Sequence, residues 1–329
     1  MKHKKVVLSG MRPTGKLHFG HWVGALSNWI DLQEKYNCFF MVADWHALMS
    51  EYKNPKPIKD IIIDNVADWL AFGIDPEKSI VFRQSKILEH LELFMILSVI
   101  TPLGWLTRCP TFKEQIKQLK EKDINTYAFL GYPALQTSDI VLYKADYVPV
   151  GDDQLPHLEL AREIVRRFSS LYKKKVFTEP QALLTKVSRL TGLDGRKMSK
   201  SYNNYIALDE EDKSLKNKVL GMFTDPARKR KEDPGHPEIC NVFSYYKIIN
   251  PDLEEEVRDW CMQAKKGCVE CKKILLNSLK EFLASKRDKK KEILKDKNKI
   301  YDILNKGEDK ARKIAASTLD EARKAIGLT

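Results

Sequence analysis

The chain has 329 residues, of which 43% are apolar and 31% are charged, a balance typical of a soluble globular protein. Its formal net charge of +12 favours a polyanionic partner such as RNA. The basic start is followed by no apolar segment long enough for a signal peptide. The longest apolar stretch, 91–106, contains Glu92 and Pro102 and is too short to span a bilayer. We therefore predict a cytoplasmic protein without membrane contact.

A turn rich in glycine and histidine follows the first apolar run, Val6–Ser9. It reads Pro-Thr-Gly-Lys-Leu-His-Phe-Gly-His over residues 13–21 and precedes an amphipathic helical pattern. A strand, a turn and a helix N-terminus in this order form a common phosphate-binding arrangement. His18 and His21 lie three residues apart and would share one helical face, while Gly20 would let a flat base approach the backbone closely.

Apolar strands alternate with helical patterns through the first two hundred residues. This alternation predicts an α/β fold, a doubly wound parallel sheet of the Rossmann type, in which ligands bind beyond the carboxyl ends of the strands. His18 and the segment 151–154 would both lie at that edge. The predicted strands are Val6–Ser9, Phe39–Ala43, Ile80–Arg83 and Tyr147–Val150, and the predicted helices are Trp22–Tyr36, Ile58–Phe72, Leu88–Ile100 and Leu155–Arg167.

The strand signal ends at about Asp209, and only helical patterns follow. We therefore predict two domains, a Rossmann domain over 1–205 and a helical domain over 206–329. Within the first, residues 73–143 read as a helical insertion between the halves of the sheet. The insertion carries more apolar surface than one short hairpin would bury, and either core packing or a homodimer interface would explain it. Its large apolar residues include Phe94, Met95, Leu97 and Trp105.

The sequence YPALQTSDI over residues 132–140 predicts a helix that forms one wall of a substrate pocket. On a helix, Tyr132, Gln136 and Asp139 would share a face. An acidic residue on an otherwise apolar helix is costly unless it is paired. Asp139 would therefore accept a hydrogen bond, either from a backbone amide or from the single N–H of a buried indole ring.

A second cationic motif, Lys-Met-Ser-Lys-Ser, occupies residues 197–201 and follows a glycine-bearing segment. Lys197 and Lys200 on a loop that can swing suit a reaction in which negative charge builds on a departing phosphate. The HFGH turn and this motif, in this order along the chain, resemble the HIGH and KMSKS signatures of the class I aminoacyl-tRNA synthetases. Beyond these motifs, the chain resembles the bacterial-type tryptophanyl-tRNA synthetases over nearly its full length.

The pattern Tyr-x3-Gln-x2-Asp occurs in both the tryptophanyl and the tyrosyl enzymes. Tyrosyl enzymes usually place a second tyrosine on the first strand to meet the hydroxyl of the substrate. Here that strand is the apolar Val6-Val7-Leu8-Ser9, which favours tryptophan. A tyrosyl enzyme of the same class and a non-catalytic RNA- or tryptophan-binding paralogue remain the alternatives. The resemblance also implies tRNA(Trp) as a partner, a homodimer, and Mg-ATP as the second substrate.

The resemblance implies three sets of site residues, with catalysis by positioning and charge stabilisation rather than by a nucleophile. This chain departs from many members at Arg12, Gln136 and Asp152, where they have Gln, Met and Glu. The implied catalytic residues are His18, His21, Lys197 and Lys200. The implied ATP-binding residues are Arg12, Pro13, Thr14, Gly20, His21, Gly151, Asp152, Asp153, Leu190, Lys197, Met198, Ser199, Lys200 and Ser201. The implied tryptophan-binding residues are Tyr132, Gln136, Asp139 and Gln154.

Four of the six cysteines fall in the helical region with the spacing C-x20-C-x6-C-x2-C, namely Cys240, Cys261, Cys268 and Cys271. In a cytosolic protein such a cluster more often binds metal than forms disulfides. Four thiolates suit either zinc or an iron–sulfur cluster. Some tryptophanyl-tRNA synthetases have a similar pattern with a slightly longer first spacer and bind a 4Fe-4S cluster, so the resemblance favours the cluster. It would lie near the tRNA anticodon.

Overall fold

The computed structural model describes residues 4–110, 123–184, 190–200 and 202–329. A five-stranded parallel sheet in the order β3-β2-β1-β4-β5 lies at its centre and confirms the predicted α/β fold. The strands are β1 (Val6–Met11), β2 (Asn37–Val42), β3 (Ser79–Arg83), β4 (Tyr147–Val150) and β5 (Gln181–Leu184). Sequence reasoning missed β5 because its four residues, Gln-Ala-Leu-Leu, include none of the β-branched residues that mark strands.

Successive side chains of the central strands enter two hydrophobic cores, one on each face of the sheet. Val7 of β1 and Phe40 of β2 pack into one core, whereas their neighbours Leu8 and Phe39 pack into the other. A parallel sheet covered on both faces needs such continuously apolar strands. The chain therefore presents only the ends of its strands to ligands.

The helices around the sheet alternate with the strands up to β5, and the chain beyond is helical. The first group comprises α1 (Phe19–His21), α2 (Ser27–Lys35), α3 (Asp44–Glu51), α4 (Ile58–Phe72), α5 (Glu89–Ile100), α6 (Leu103–Arg108), α7 (Tyr127–Leu142) and α8 (Leu155–Tyr172). The second group comprises α9 (Asp212–Leu220), α10 (Asn241–Ile249), α11 (Glu254–Met262), α12 (Cys268–Lys295) and α13 (Lys297–Ile326). In the described ranges, none of these helices is long and apolar enough to cross a membrane.

The last helix, α13, packs against the edge strand β3. Gly307 lies so close to that strand that a β-carbon at this position would come within 1.9 Å of the carbonyl oxygen of Val81. Next to this contact, Arg83 Nε donates to Glu308 Oε1 at 2.5 Å. The end of the helical region thus returns to the sheet, and the predicted boundary between 1–205 and 206–329 stays a prediction.

Candidate active site

The HFGH turn folds into a compact structure at the carboxyl end of β1. The imidazole of His18 caps α1 by accepting a hydrogen bond from the backbone N–H of Gly20 at 3.1 Å, and His21 Nδ1 accepts from the backbone N–H of His18 at 3.1 Å. The next five residues, Trp22–Leu26, form a π-helical turn. Such turns are rare and are often found at functional sites.

Both imidazoles of this turn are neutral at neutral pH. Burial, and then the charge of Lys200, lowers the pKa of His18 to about 4. Burial also lowers the pKa of His21 well below its usual value, with the neighbouring His18 as a further cause. A neutral ring that accepts at Nδ1 carries its proton on Nε2. Each histidine therefore has one Nε2–H to donate.

The Lys-Met-Ser-Lys segment contacts the HFGH turn directly. The sulfur of Met198 lies 3.2 Å from the backbone nitrogen of Gly20. Lys200 lies against the turn that precedes α1, where a β-carbon on Gly15 would be 3.3 Å from Lys200 Nζ. Asn204 holds the segment in place because its side chain accepts from the backbone N–H of Ser199 at 2.8 Å and donates to the carbonyl of Lys197 at 3.1 Å.

A cavity of about 820 Å³ opens between the two motifs, and we call it the large cavity. Its walls come from the HFGH turn, the segment after β4 and the Lys-Met-Ser-Lys segment. The residues that line it include His18, Gly20, His21, Gly151, Asp152, Asp153, Leu190, Lys197 and Met198. Imidazole and ammonium donors thus face carboxylates across a space open to a nucleotide-sized ligand.

A second cavity, of about 350 Å³, lies next to the first, and Val150 lines both. We call it the small cavity. Apolar side chains from β1, β2, β4 and α7 make about half of its wall, and polar residues make the rest. Those polar residues are Ser9, Arg12, His46, Tyr132, Gln136, Asp139, Gln154 and His157. A cavity that combines apolar walls with placed polar groups is the usual form of a small-molecule site.

Asp139 is an ionised carboxylate in the wall of the small cavity, although only 2% of it is exposed. Its Oδ1 accepts from Gln84 Nε2 and is paired with His90 Nδ1, both at 2.7 Å, and its Oδ2 is paired with His46 Nε2 at 2.8 Å. Burial alone would raise the pKa of Asp139, but the hydrogen bonds from the two histidines outweigh it and lower the pKa. A carboxylate has about four acceptor positions, so one remains for a ligand.

A hydrogen-bonded chain crosses the other side of the small cavity. Tyr132 Oη lies 2.6 Å from His157 Nε2, and His157 Nδ1 lies 3.0 Å from Gln154 Oε1. Burial lowers the pKa of His157 to about 4, so its ring is neutral. The two cavities and their polar groups together suit one aromatic ligand and one nucleotide.

Comparison with known proteins identifies the family. The profile of the tRNA synthetases class I (W and Y) matches residues 1–284. The tryptophan–tRNA ligase of Thermotoga maritima is 50% identical over 327 residues, covering 98% of this chain and 99% of the relative. The ligase of Aquifex aeolicus is 42% identical, with the same coverage of 98% and 99%. The chain belongs to the tryptophanyl-tRNA synthetases of class I. The crystal structure of the Campylobacter jejuni tryptophanyl-tRNA synthetase with ADP and tryptophan matches at a TM-score of 0.87 and 33% identity, covering 98% of this chain and 99% of that one.

The predicted site residues of this synthetase fall into the two cavities with a few exceptions. Arg12, predicted in the ATP site, lines the small cavity, where burial lowers the pKa of its guanidinium. Pro13, Thr14, Ser199 and Lys200 are outside the lining of both cavities in the described ranges. Ser201 lies outside the described residues. The four predicted tryptophan-binding residues all line the small cavity, namely Tyr132, Gln136, Asp139 and Gln154.

Sequence reasoning missed four polar residues of this synthetase, namely His46, Gln84, His90 and His157. A signal for two of them was present. His46 follows β2 closely and Gln84 directly follows β3, so both lie at the carboxyl ends of parallel strands, where ligands bind. His90 and His157 lie near the starts of α5 and α8, where nothing in the local sequence distinguishes them from packed core histidines.

The four clustered cysteines of this synthetase line a separate, third pocket, together with Trp260 and Arg228. Within the ranges that the structure describes, no three His, Cys, Asp or Glu side chains are grouped so that they could hold a metal ion. The four thiols thus lie around one pocket, and the metal site that their spacing predicts stays a prediction.

Proposed function

We propose that this chain is a tryptophan–tRNA ligase whose two cavities hold Mg-ATP and tryptophan side by side. In the first step, a carboxylate oxygen of tryptophan attacks the α-phosphorus of ATP, the bond from that phosphorus to the bridging oxygen breaks, and pyrophosphate leaves. In the second step, a ribose hydroxyl at the tRNA 3′ end attacks the carbonyl carbon of the adenylate and AMP leaves. The observation that supports this proposal best is the contact of Met198 with Gly20 at the cavity wall.

The two motifs would stabilise charge on the departing pyrophosphate. His18 and His21 each offer a neutral Nε2–H, which donates to a phosphate oxygen without carrying a charge. Lys197 and Lys200 supply the positive charge, and Mg²⁺ arrives with ATP and offsets charge on the same phosphates. Since these donors act on charge that develops during the reaction, they contribute to the rate more than to substrate affinity.

Asp139 would select the amino acid. Its remaining acceptor position suits the indole N–H, which donates once and accepts nothing. The residues of β1 that line the cavity, Leu8 to Gly10, include no second tyrosine of the kind that tyrosyl enzymes usually place on this strand to meet the substrate hydroxyl. The similarity to the tryptophan–tRNA ligases of Thermotoga maritima and Aquifex aeolicus supports the same choice. Tyrosine is therefore the disfavoured substrate.

A direct test is product analysis without tRNA. Purified protein incubated with Mg-ATP and tryptophan should form tryptophanyl-adenylate, about one equivalent per active site, detected by mass spectrometry. Added tRNA(Trp) should then discharge the adenylate to aminoacyl-tRNA and AMP. A protein that binds tryptophan yet forms no adenylate would instead be the non-catalytic paralogue.

We also propose a 4Fe-4S cluster at the four cysteines. The four thiols line one pocket, and some tryptophanyl-tRNA synthetases with a similar cysteine spacing bind such a cluster. Arg228 lines the same cavity, and its Nε is buried without a hydrogen-bond partner among the described residues. A sulfur atom of a cluster would accept that hydrogen bond. Bound to the four thiolates, the cluster would hold α10, α11 and α12 together.

Protein purified without oxygen should therefore be brown, with broad visible absorption and about four irons per chain. Replacing Cys271 with serine should remove the colour. Replacing the buried Cys38 with serine is the matched control and should keep it. A colourless protein that contains one zinc ion would contradict the cluster.

A homodimer is the proposed assembly. Five large apolar residues are exposed in the segment that comprises the residue before α5, the helices α5 and α6, and the start of α7. They are Leu88 (66% exposed), Met95 (64%), Val99 (73%), Leu103 (66%) and Tyr127 (81%). Apolar surface of this kind marks an interface, and a second copy of the chain is the expected partner. Light scattering after gel filtration should give a dimer, and Val99→Glu should give a monomer.

The domain division and the tRNA contacts remain proposals. We propose that 206–329 carries the anticodon-binding surface, in keeping with the net charge of +12. In the basic run 286–299, Lys290 is only 4% exposed and Lys286 Nζ lies 4.1 Å from the ring centroid of Phe282, so these two ammonium groups lie against the protein. The cytoplasmic location stays a prediction.

A further inference from the structure

In the hydrogen-bonded series Tyr132–His157–Gln154, the atoms themselves determine which group donates and which accepts. Gln154 Nε2 lies 3.4 Å from the carboxylate of Asp153, so the carbonyl oxygen of Gln154 is the atom that faces His157. A carbonyl oxygen only accepts, so His157 Nδ1 must carry the proton of the neutral ring. Nε2 is then an acceptor, and the Tyr132 hydroxyl must donate to it.

The direction of these hydrogen bonds determines whether the small cavity has donors or acceptors for a ligand. Because the only hydroxyl proton of Tyr132 is directed to His157, the tyrosine oxygen can act toward a ligand as an acceptor and not as a donor. The carbonyl oxygen of Gln154 receives one hydrogen bond from the histidine and keeps a second lone pair. Both groups are therefore acceptors, the arrangement that a ligand ammonium group requires.

From this geometry we infer that His157 is a positioning residue for substrate recognition, one that orients Tyr132 and Gln154 so that both accept from the α-ammonium group of the amino acid. The inference rests on the proposed function, since it assumes that the amino acid occupies the small cavity. His157 itself is only 3% exposed and does not need to touch the substrate. Its ring packs edge-on against Tyr132, with the centroids 5.2 Å apart, which fixes the hydroxyl as well.

Without the acceptor at Nε2, the Tyr132 hydroxyl can turn its proton toward the ligand and oppose the ammonium group. His157→Phe keeps the ring and its packing but removes both nitrogens. It should raise the KM for tryptophan about ten- to hundredfold, the usual effect of one mismatched buried hydrogen bond, while the KM for ATP stays within about twofold. His157→Gln, whose amide oxygen can take the place of Nε2, should restore most of the affinity.

A ligand without the ammonium group distinguishes orientation from a general loss of packing. Indole-3-propionate has the indole and the carboxylate of tryptophan but no amine. Its inhibition constant should be the same, within about twofold, for the wild-type protein and for His157→Phe. An equal loss for both ligands, or no loss for either, would overturn the inference.

If His157→Phe does not fold, the pair His157→Asn and His157→Gln decides the same point. The asparagine amide can replace Nδ1 but does not reach Tyr132, whereas the glutamine amide does. Tryptophan affinity should therefore fall in the asparagine variant only, and equal affinities would refute the role. Wild-type protein that forms no adenylate with tryptophan would refute the proposed function instead, whatever these variants do.

Discussion

Lys290 of α12 is a buried cation that lies between α12 and α4. Its Nζ lies 2.8 Å from Asp64 and 3.0 Å from Asp68 of α4, and 3.3 Å from Asp209. Only 5% of the lysine side chain and 2% of that of Asp68 are exposed. Removing one partner of such a buried group leaves uncompensated charge, which typically costs about 3–5 kcal/mol.

We predict that Lys290→Met lowers the free energy of unfolding by about 3 kcal/mol at pH 8, the lower end of that range. The reason for the lower end is Asp68, whose pKa is raised to about 7 by burial even though Lys290 opposes the shift. Without the lysine this pKa rises further, so Asp68 takes up a proton more readily as the pH falls. The loss should therefore be smaller at pH 6 than at pH 8.

Urea unfolding followed by circular dichroism at both pH values measures this difference. The matched control is Lys291→Met, one residue along the same helix, where 78% of the lysine side chain is exposed. That variant should stay within about 0.5 kcal/mol of the wild type, as surface substitutions do. Equal stabilities for the two variants, or a larger loss at pH 6, would refute the role of Lys290.

Three further predictions concern the site and the same carboxylate cluster. Lys197→Ala or Lys200→Ala should slow adenylate formation by roughly 2–4 kcal/mol in activation free energy with little change in tryptophan affinity, as single-turnover kinetics and calorimetry would show. Asp139→Asn should weaken tryptophan binding and lower stability by about 2–3 kcal/mol, because an amide cannot accept from all the donors around it; unchanged binding would count against Asp139. In the wild type, the raised pKa of Asp68, about 7 against about 3.9 when unfolded, makes stability fall as the pH rises through that interval. Asp68→Asn should remove this part of the pH dependence, so the variant gains on the wild type between about pH 4 and pH 7, and parallel stability curves would contradict it.

Much of the fold could be predicted because periodicity and burial point to the same elements. The predicted helix Ile58–Phe72 has the observed bounds, and the predicted strand Tyr147–Val150 does too. The return of α13 to the sheet could not be foreseen. It depends on Gly307 meeting Val81 across a separation of more than two hundred residues, and no local pattern reports such a contact.

The site residues that belong to a sequence motif could be predicted. The residues that only orient or charge another site residue could not. The lysines and histidines of the two motifs could be read from the sequence. The ionised state of Asp139, in contrast, depends on His46 and His90, which come from two different helices. The orientation of Tyr132 likewise depends on His157, and only the assembled geometry joins them.

The most direct test of the account is ATP–pyrophosphate exchange by the purified chain with tryptophan and with tyrosine as separate substrates. The central claim is that the two motifs activate an amino acid that Asp139 selects by its indole N–H. It predicts rapid exchange with tryptophan and little above background with tyrosine. Exchange supported equally by tyrosine, or by neither amino acid, would contradict it.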